Sequence, residues 1–214
     1  MDINKQSLSK DGQFELMKHG GNIYKEAKRL GIHENNILDA SASIVPFPHC
    51  VEIQDCLKKT LTGIALRNYP DLSTLRESIS QWHEISPSMV LPGNGAAELI
   101  TWAARDASSY GFSSLPSPGF SDYKRAIHCW NSTYEELPLN LSWDAAFPHS
   151  FPFQANSNVI WVTNPHNPTG QLWSRQSLET LLETHKLVIC DEAFLPLVPN
   201  GEKQSLIPLV RNHK

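Results

Sequence analysis

The 214-residue chain has only four cysteines, Cys50, Cys56, Cys129 and Cys190, and no two of them form a C-x-x-C pair. That spacing argues against a structural zinc site and against a disulfide framework, so the four are expected to be reduced thiols. No stretch approaches the ~18 consecutive apolar residues of a membrane span, and the opening MDINKQSLSKDGQFELMKHGGN lacks the apolar core of a secretory signal. The expected location is the cytoplasm. Lys and Arg are scattered and the formal net charge is -4, so there is no basic stripe and neither nucleic acid nor an anionic membrane is an expected partner. There is no internal repeat, and one Pro/Ser-rich region, residues 137–157, reads as an irregular connection. With 40% hydrophobic and 19% charged residues, the chain can bury a sizeable core, as one large domain or a domain plus an arm. A small-molecule site suits this composition.

Helical and strand-like patterns alternate along the chain. Residues 22–30 have helical spacing and stop at Gly31, residues 51–66 repeat apolar positions at helical intervals, and residues 72–82 predict a third helix after YPD. Met89 to Leu91 predicts a short strand running into PGNG, with a helix over 96–107. Further strand and helix pairs are predicted at 113–115 with 120–130, and at 159–163 with 176–185. A strand at 187–190 then precedes DEAF. This order predicts an α/β fold with a mainly parallel sheet flanked by helices. Ligands of such sheets bind beyond the carboxyl ends of the strands, so GNGAAE, PSPGF, TNPHNPTG and DEAF are expected to converge on one edge.

Each motif also has a plain structural reading. Gly93 and Gly95 open a helix, where free N–H groups and the helix dipole favour a phosphate, yet a glycine turn of this kind is often only a turn. The lysine of a nucleotide-binding P-loop is absent. Asn164-Pro165 and Asn167-Pro168-Thr169-Gly170 form a tight strand-to-helix connection, in which one asparagine can hold the turn while the other offers its amide to a ligand. Asp191 ends an apolar run, as a solvated strand end or as a carboxylate for magnesium. Without a P-loop partner the magnesium reading loses its support. No metal-ligand set is present, and His33, His83, His128, His149, His185 and His213 read as structural or solvated. His166, in the variable place of NPHNPTG, reads as a neighbour of the site and not as a catalytic group.

In the order YPD, G-N-G, P-G-F, N-P-x-N-P-T-G and D-E-A-F, the motifs resemble the large domain of fold-type I pyridoxal-phosphate (PLP) enzymes, the aspartate aminotransferase superfamily, over roughly residues 39–194. Within it, KHGGNIYKEAKRLGI, ILDASASIVPFP and Phe194 resemble the threonine-phosphate decarboxylase group, which is itself similar to histidinol-phosphate aminotransferases. Ser43 and Val45 stand where that group has asparagines. The resemblance implies pyridoxal 5′-phosphate as cofactor, with Asp191 holding the proton on its ring nitrogen, Asn167 donating to O3′ and Phe120 stacking on the ring. It also implies that the backbone of Gly95, Ala96 and Ala97 takes the cofactor phosphate. Tyr69 is implied to reach that phosphate from a neighbouring subunit, hence a homodimer. His19, Gly20, Gly21 and Asn22 are the substrate-side set for a phosphorylated amino acid, with a simple capped helix as the equal alternative.

Residues 1–45 are then an N-terminal arm and substrate-side segment, and residues 46–214 are a PLP-binding large domain, incomplete at its carboxyl end. By resemblance, the lysine that carries the cofactor follows DEAF by a few tens of residues. Lys186, Lys203 and Lys214 do not stand in its context. Two classes stay open: part of a decarboxylase or related aminotransferase, or a PLP-fold protein without chemistry. The resemblance also implies that later strands complete the sheet, so the chain alone is expected to expose a strand edge and to aggregate.

Overall fold

Four strands form one sheet in the order β2-β1-β3-β4: β1 (Ser113–Ser117), β2 (Tyr134–Pro138), β3 (Val159–Thr163) and β4 (Leu187–Asp191). All neighbouring pairs are parallel. In this computed structural model, residues 20–43, 50–142 and 147–212 are described, and the chain packs as two units, Met1–Pro70 and Asp71–Lys214. The sheet belongs to the second.

β3 is central because VIWVT is apolar on both faces, and all five residues are buried. Val159 and Trp161 point to one side, where they pack with Ile100, Ala104 and Ala107 of α4 (Ala96–Ser108) and with Tyr123, Ala126 and Ile127 of α5 (Asp122–Cys129). Ile160 and Val162 point to the other, against Leu178 and Leu181 of α6 (Arg175–Thr184) and against Phe151, Trp173 and Leu206. The two-residue period of a strand thus builds two cores from one segment. Each buried aliphatic side chain contributes roughly 1.5–3 kcal/mol.

Three local expectations need correction. Met89–Leu91 is not a strand: Ser86 Oγ accepts from Ser88 N–H, which starts a 3-10 turn at Pro87–Met89. Leu91 is exposed, and among the described residues no strand pairs with this segment. The helix over residues 51–66 divides into α-helix Val51–Thr62 and a 3-10 turn at Ile64–Arg67, because Gly63 between them is extended. The irregular connection at 137–157 begins within β2, whose Glu135 and Glu136 disguise it. Their carboxylates accept from Ser114 and Ser117 of β1, so polar side chains here make cross-strand bonds.

In the first unit, α1 (Ile23–Leu30) is capped by Asn22, whose side chain accepts from Lys25 N–H at 3.0 Å, and ends at Gly31 with φ 67°. That left-handed C-cap suits glycine. No helix among the described residues is long and apolar enough to cross a membrane.

Candidate functional site

The strand order reverses between β1 and β3, since the chain passes from β1 outward to β2 and then returns to the other side of β1. At such a switch point two connections leave in opposite directions and a crevice opens at the carboxyl ends. The pairing shows it: β1 and β3 are in register only at Ser113 with Val159 and Ser114 with Ile160, and the pairing stops before either strand ends. PSPGF leaves one side of this gap and NPHNPTG the other.

The two asparagines of NPHNPTG have different tasks. Asn164 is wholly buried, and its side chain grips one residue at both ends, accepting from Trp173 N–H at 2.8 Å and donating to Trp173 C=O at 3.2 Å. It holds the turn. Asn167 is half-buried, and its side-chain amide makes no hydrogen bond among the described residues, which leaves it available to a ligand.

Asp191, at the end of β4, is oriented from two sides. Its Oδ1 accepts from Ala193 N–H at 3.0 Å, and its Oδ2 accepts from the Tyr123 hydroxyl at 2.9 Å. Tyr123 is 4% exposed and also meets Thr163 Oγ1 at 2.8 Å. Burial, and then the charge of Asp191, push the Tyr123 phenol well above its ordinary range, so it stays protonated and can serve as donor to the carboxylate. Each carboxylate oxygen retains acceptor capacity for a further donor. Sequence reasoning missed Tyr123. Its position three residues after Phe120, on the same helical approach, was the available hint, but its partner lies 68 residues away.

Phe120 is half-buried, with its ring centroid 5.4 Å from that of Tyr123 in an edge-on arrangement. His166 is 2% exposed and donates from Nε2 to the carbonyl of Pro118 at 2.8 Å, joining the two turns across the gap. A carbonyl only accepts, so the proton is on Nε2. Burial lowers the His166 pKa, in keeping with a neutral ring.

The glycine turn reaches this group through helix packing, although no strand precedes it. Gly95 has φ 82° and ψ 171°, a conformation open to glycine, and among the described residues the N–H groups of Gly95, Ala96 and Ala97 donate to no carbonyl. Asn94 N–H is taken by Glu98. Arg125 of α5 donates to the Ala97 carbonyl at 3.2 Å and to Thr101 Oγ1 at 3.0 Å, and pairs with Asp122. α5 therefore binds the start of α4 through Arg125 and the end of β4 through Tyr123.

The family model for aminotransferases of class I and II matches residues 29–214. The chain belongs to that family. Among its relatives, threonine-phosphate decarboxylase of Salmonella typhimurium is 28% identical, over 91% of this chain and 54% of its own length. Histidinol-phosphate aminotransferase of Halalkalibacterium halodurans is 25% identical, over 91% and 53% respectively. The histidinol-phosphate aminotransferase structure from Clostridium acetobutylicum superposes with TM-score 0.65 at 19% identity, covering 83% of this chain and 53% of that one. The expected α/β architecture is thereby shown. The chain spans about half the length of the curated relatives it matches.

The cofactor of this family is pyridoxal 5′-phosphate, and the residues present fit it: a fixed carboxylate, an uncommitted amide, an aromatic face and free N–H groups at a helix start. The structure brings Asp191, Asn167 and Phe120 to the switch point and ties Gly95, Ala96 and Ala97 to them through α5. Tyr69, 99% exposed, and Gly20, Gly21 and Asn22 belong to the first unit. There Gly21 N–H donates to Ser41 Oγ and Asn22 caps α1, so the capped helix is formed. His19 lies outside the described residues. Lys186 stands before β4, at the end opposite Asp191, and Lys124 Nζ pairs with Glu136 at 2.7 Å.

Proposed function

We propose that this chain is the cofactor-holding part of a pyridoxal-phosphate-dependent threonine-phosphate decarboxylase, which converts L-threonine O-3-phosphate into 1-amino-2-propanol O-2-phosphate and carbon dioxide, as in cobalamin biosynthesis. The observation that carries the cofactor assignment is the Asp191 carboxylate, held by Tyr123 and Ala193 beside the gap between β1 and β3. Similarity to the decarboxylases over most of the chain, together with Phe194 after DEA, supports the choice of reaction.

Pyridoxal phosphate, when bound, supplies an electron sink for a bond broken at the amino acid's α-carbon. Asp191 keeps a proton on the ring nitrogen, and the Tyr123 hydroxyl fixes the carboxylate's orientation. The Asn167 amide donates to O3′, the Phe120 ring covers one face and excludes water from it, and the N–H groups of Gly95, Ala96 and Ala97 take the phosphate. Gly20, Gly21, Asn22 and His19 form the substrate side, and Tyr69 serves the site of a second copy in a homodimer. The setting is the cytoplasm, and the substrate is a small phosphorylated amino acid.

Aminotransfer is the second reading, favoured by the 25% identical histidinol-phosphate aminotransferase covering the same share of the chain. The test of the cofactor assignment is a PLP titration followed by tryptophan fluorescence, wild type against Asp191→Asn. A charge-assisted hydrogen bond is worth roughly 1.5–3 kcal/mol, so the variant is expected to bind about 10- to 100-fold more weakly. Equal affinities overturn the assignment. With the whole enzyme, carbon dioxide release from threonine phosphate without a keto-acid acceptor supports decarboxylation, and acceptor-dependent amino transfer refutes it.

A further inference from the structure

Beyond the ligand contacts above, we infer that His166 is a positioning residue that sets the spacing between Phe120 and Asn167 by bonding the PSPGF turn to the NPHNPTG turn. The inference rests on the cofactor reading for its functional consequence, but the bond stands on geometry alone. Where the pairing of β1 with β3 stops at Ser114 and Ile160, the backbone ladder no longer fixes the distance between the strands. Among the described residues, the hydrogen bond from His166 Nε2 to Pro118 C=O is the one that joins residues 116–120 to residues 164–170, 48 positions apart.

Both ends of the link are stiff. The His166 backbone is held by its N–H to the Gln171 carbonyl and by its carbonyl from Gly170 N–H, each at 2.7 Å. Its ring lies 6.1 Å from that of Trp173, the residue that Asn164 grips. On the far side, Gly119 lies so close to the Pro116 carbonyl that an added Cβ would stand 2.4 Å from that oxygen, so the turn is tightly folded just before Phe120. A link between two stiff turns transmits position. Among the described residues the buried His166 Nδ1 has no partner, so a second ring proton would find no acceptor there and the neutral Nε2–H form is the one held.

The test compares His166→Leu with His166→Gln in the complete chain, because a glutamine amide nitrogen can take the place of Nε2 whereas leucine keeps bulk without a donor. Hydrogen–deuterium exchange is measured without ligand at the hydrogen-bonded amides of residue 166 and Gly170 in the NPHNPTG turn, and PLP affinity is measured separately, each beside a thermal melt. For His166→Leu, loss of one hydrogen bond predicts about five- to tenfold faster exchange in that turn and a similar fall in PLP affinity. His166→Gln is expected to restore both to within about twofold. If glutamine behaves as leucine, or leucine leaves the exchange or the affinity unchanged, the positioning role is overturned. If the wild type binds no PLP, the cofactor reading fails and the spacing role falls with it, while the exchange data still decide whether the bond joins the turns.

Discussion

Replacing Asn164 by alanine separates the two asparagines of NPHNPTG, which the sequence presents as equivalent. Asn164 satisfies both backbone groups of Trp173, a residue 2% exposed, so alanine leaves a buried N–H and a buried C=O without partners. Each orphaned group costs about 1–3 kcal/mol, and the pair is expected to cost about 3 kcal/mol of unfolding free energy. Against a total of roughly 5–15 kcal/mol for a domain, that loss is large. In urea, with a slope of about 2 kcal/mol per molar, the midpoint should fall by about 1.5 M at constant slope, followed by tryptophan fluorescence. Asn167→Ala, which removes no hydrogen bond among the described residues, should stay within about 0.5 kcal/mol of wild type while weakening PLP binding. Equal losses at the two positions, or an unchanged midpoint for Asn164→Ala, would refute this division of labour.

Tyr123→Phe removes the hydroxyl shared by Asp191 and Thr163, and should cost about 2 kcal/mol in the same urea assay. In a double-mutant cycle with Asp191→Asn the losses should fall short of additive, and full additivity would show that the bond carries no energy. Gly95→Ala meets open space but forces an alanine to φ 82°, so a loss of about 1–3 kcal/mol is expected, and an unchanged melting point would contradict it. For pH, the folded-state pKa of His166 is lowered by burial, so below the ordinary histidine value of about 6.5 the unfolded chain binds the extra proton first. This contribution to stability is present above that value and is lost as pH falls toward the lowered one. Urea midpoints at successive pH values should show a slope there that flattens in His166→Gln, and an unchanged slope would remove His166 as its source.

Much of the site was legible because its motifs are local. An apolar run such as VIWVT, buried on both faces, can only be a central strand, and a strand followed by turn residues marks a carboxyl end. The order of the motifs then identified the family, and Asp191, Asn167 and Phe120 stand at the switch point that the topology creates. β2 was illegible since two residues of its five-residue sequence, YEELP, are charged. Its identity depends on β1, whose Ser114 and Ser117 donate to its carboxylates. Met89–Leu91 misled in the opposite way, with strand-like residues and no neighbour to pair with.

The sequence by itself determined the alternation of elements, the helix stop at Gly31, the family and the ends of the strands where a cofactor can sit, because each rests on periodicity or on the backbone preferences of a few adjacent residues. Only the tertiary structure decided that Asn164 serves Trp173 while Asn167 stays available, that Tyr123 orients Asp191, and that His166 spans the gap at Pro118. Those bonds depend on which strands are neighbours and where their pairing stops. Spacing along the chain carries no record of either.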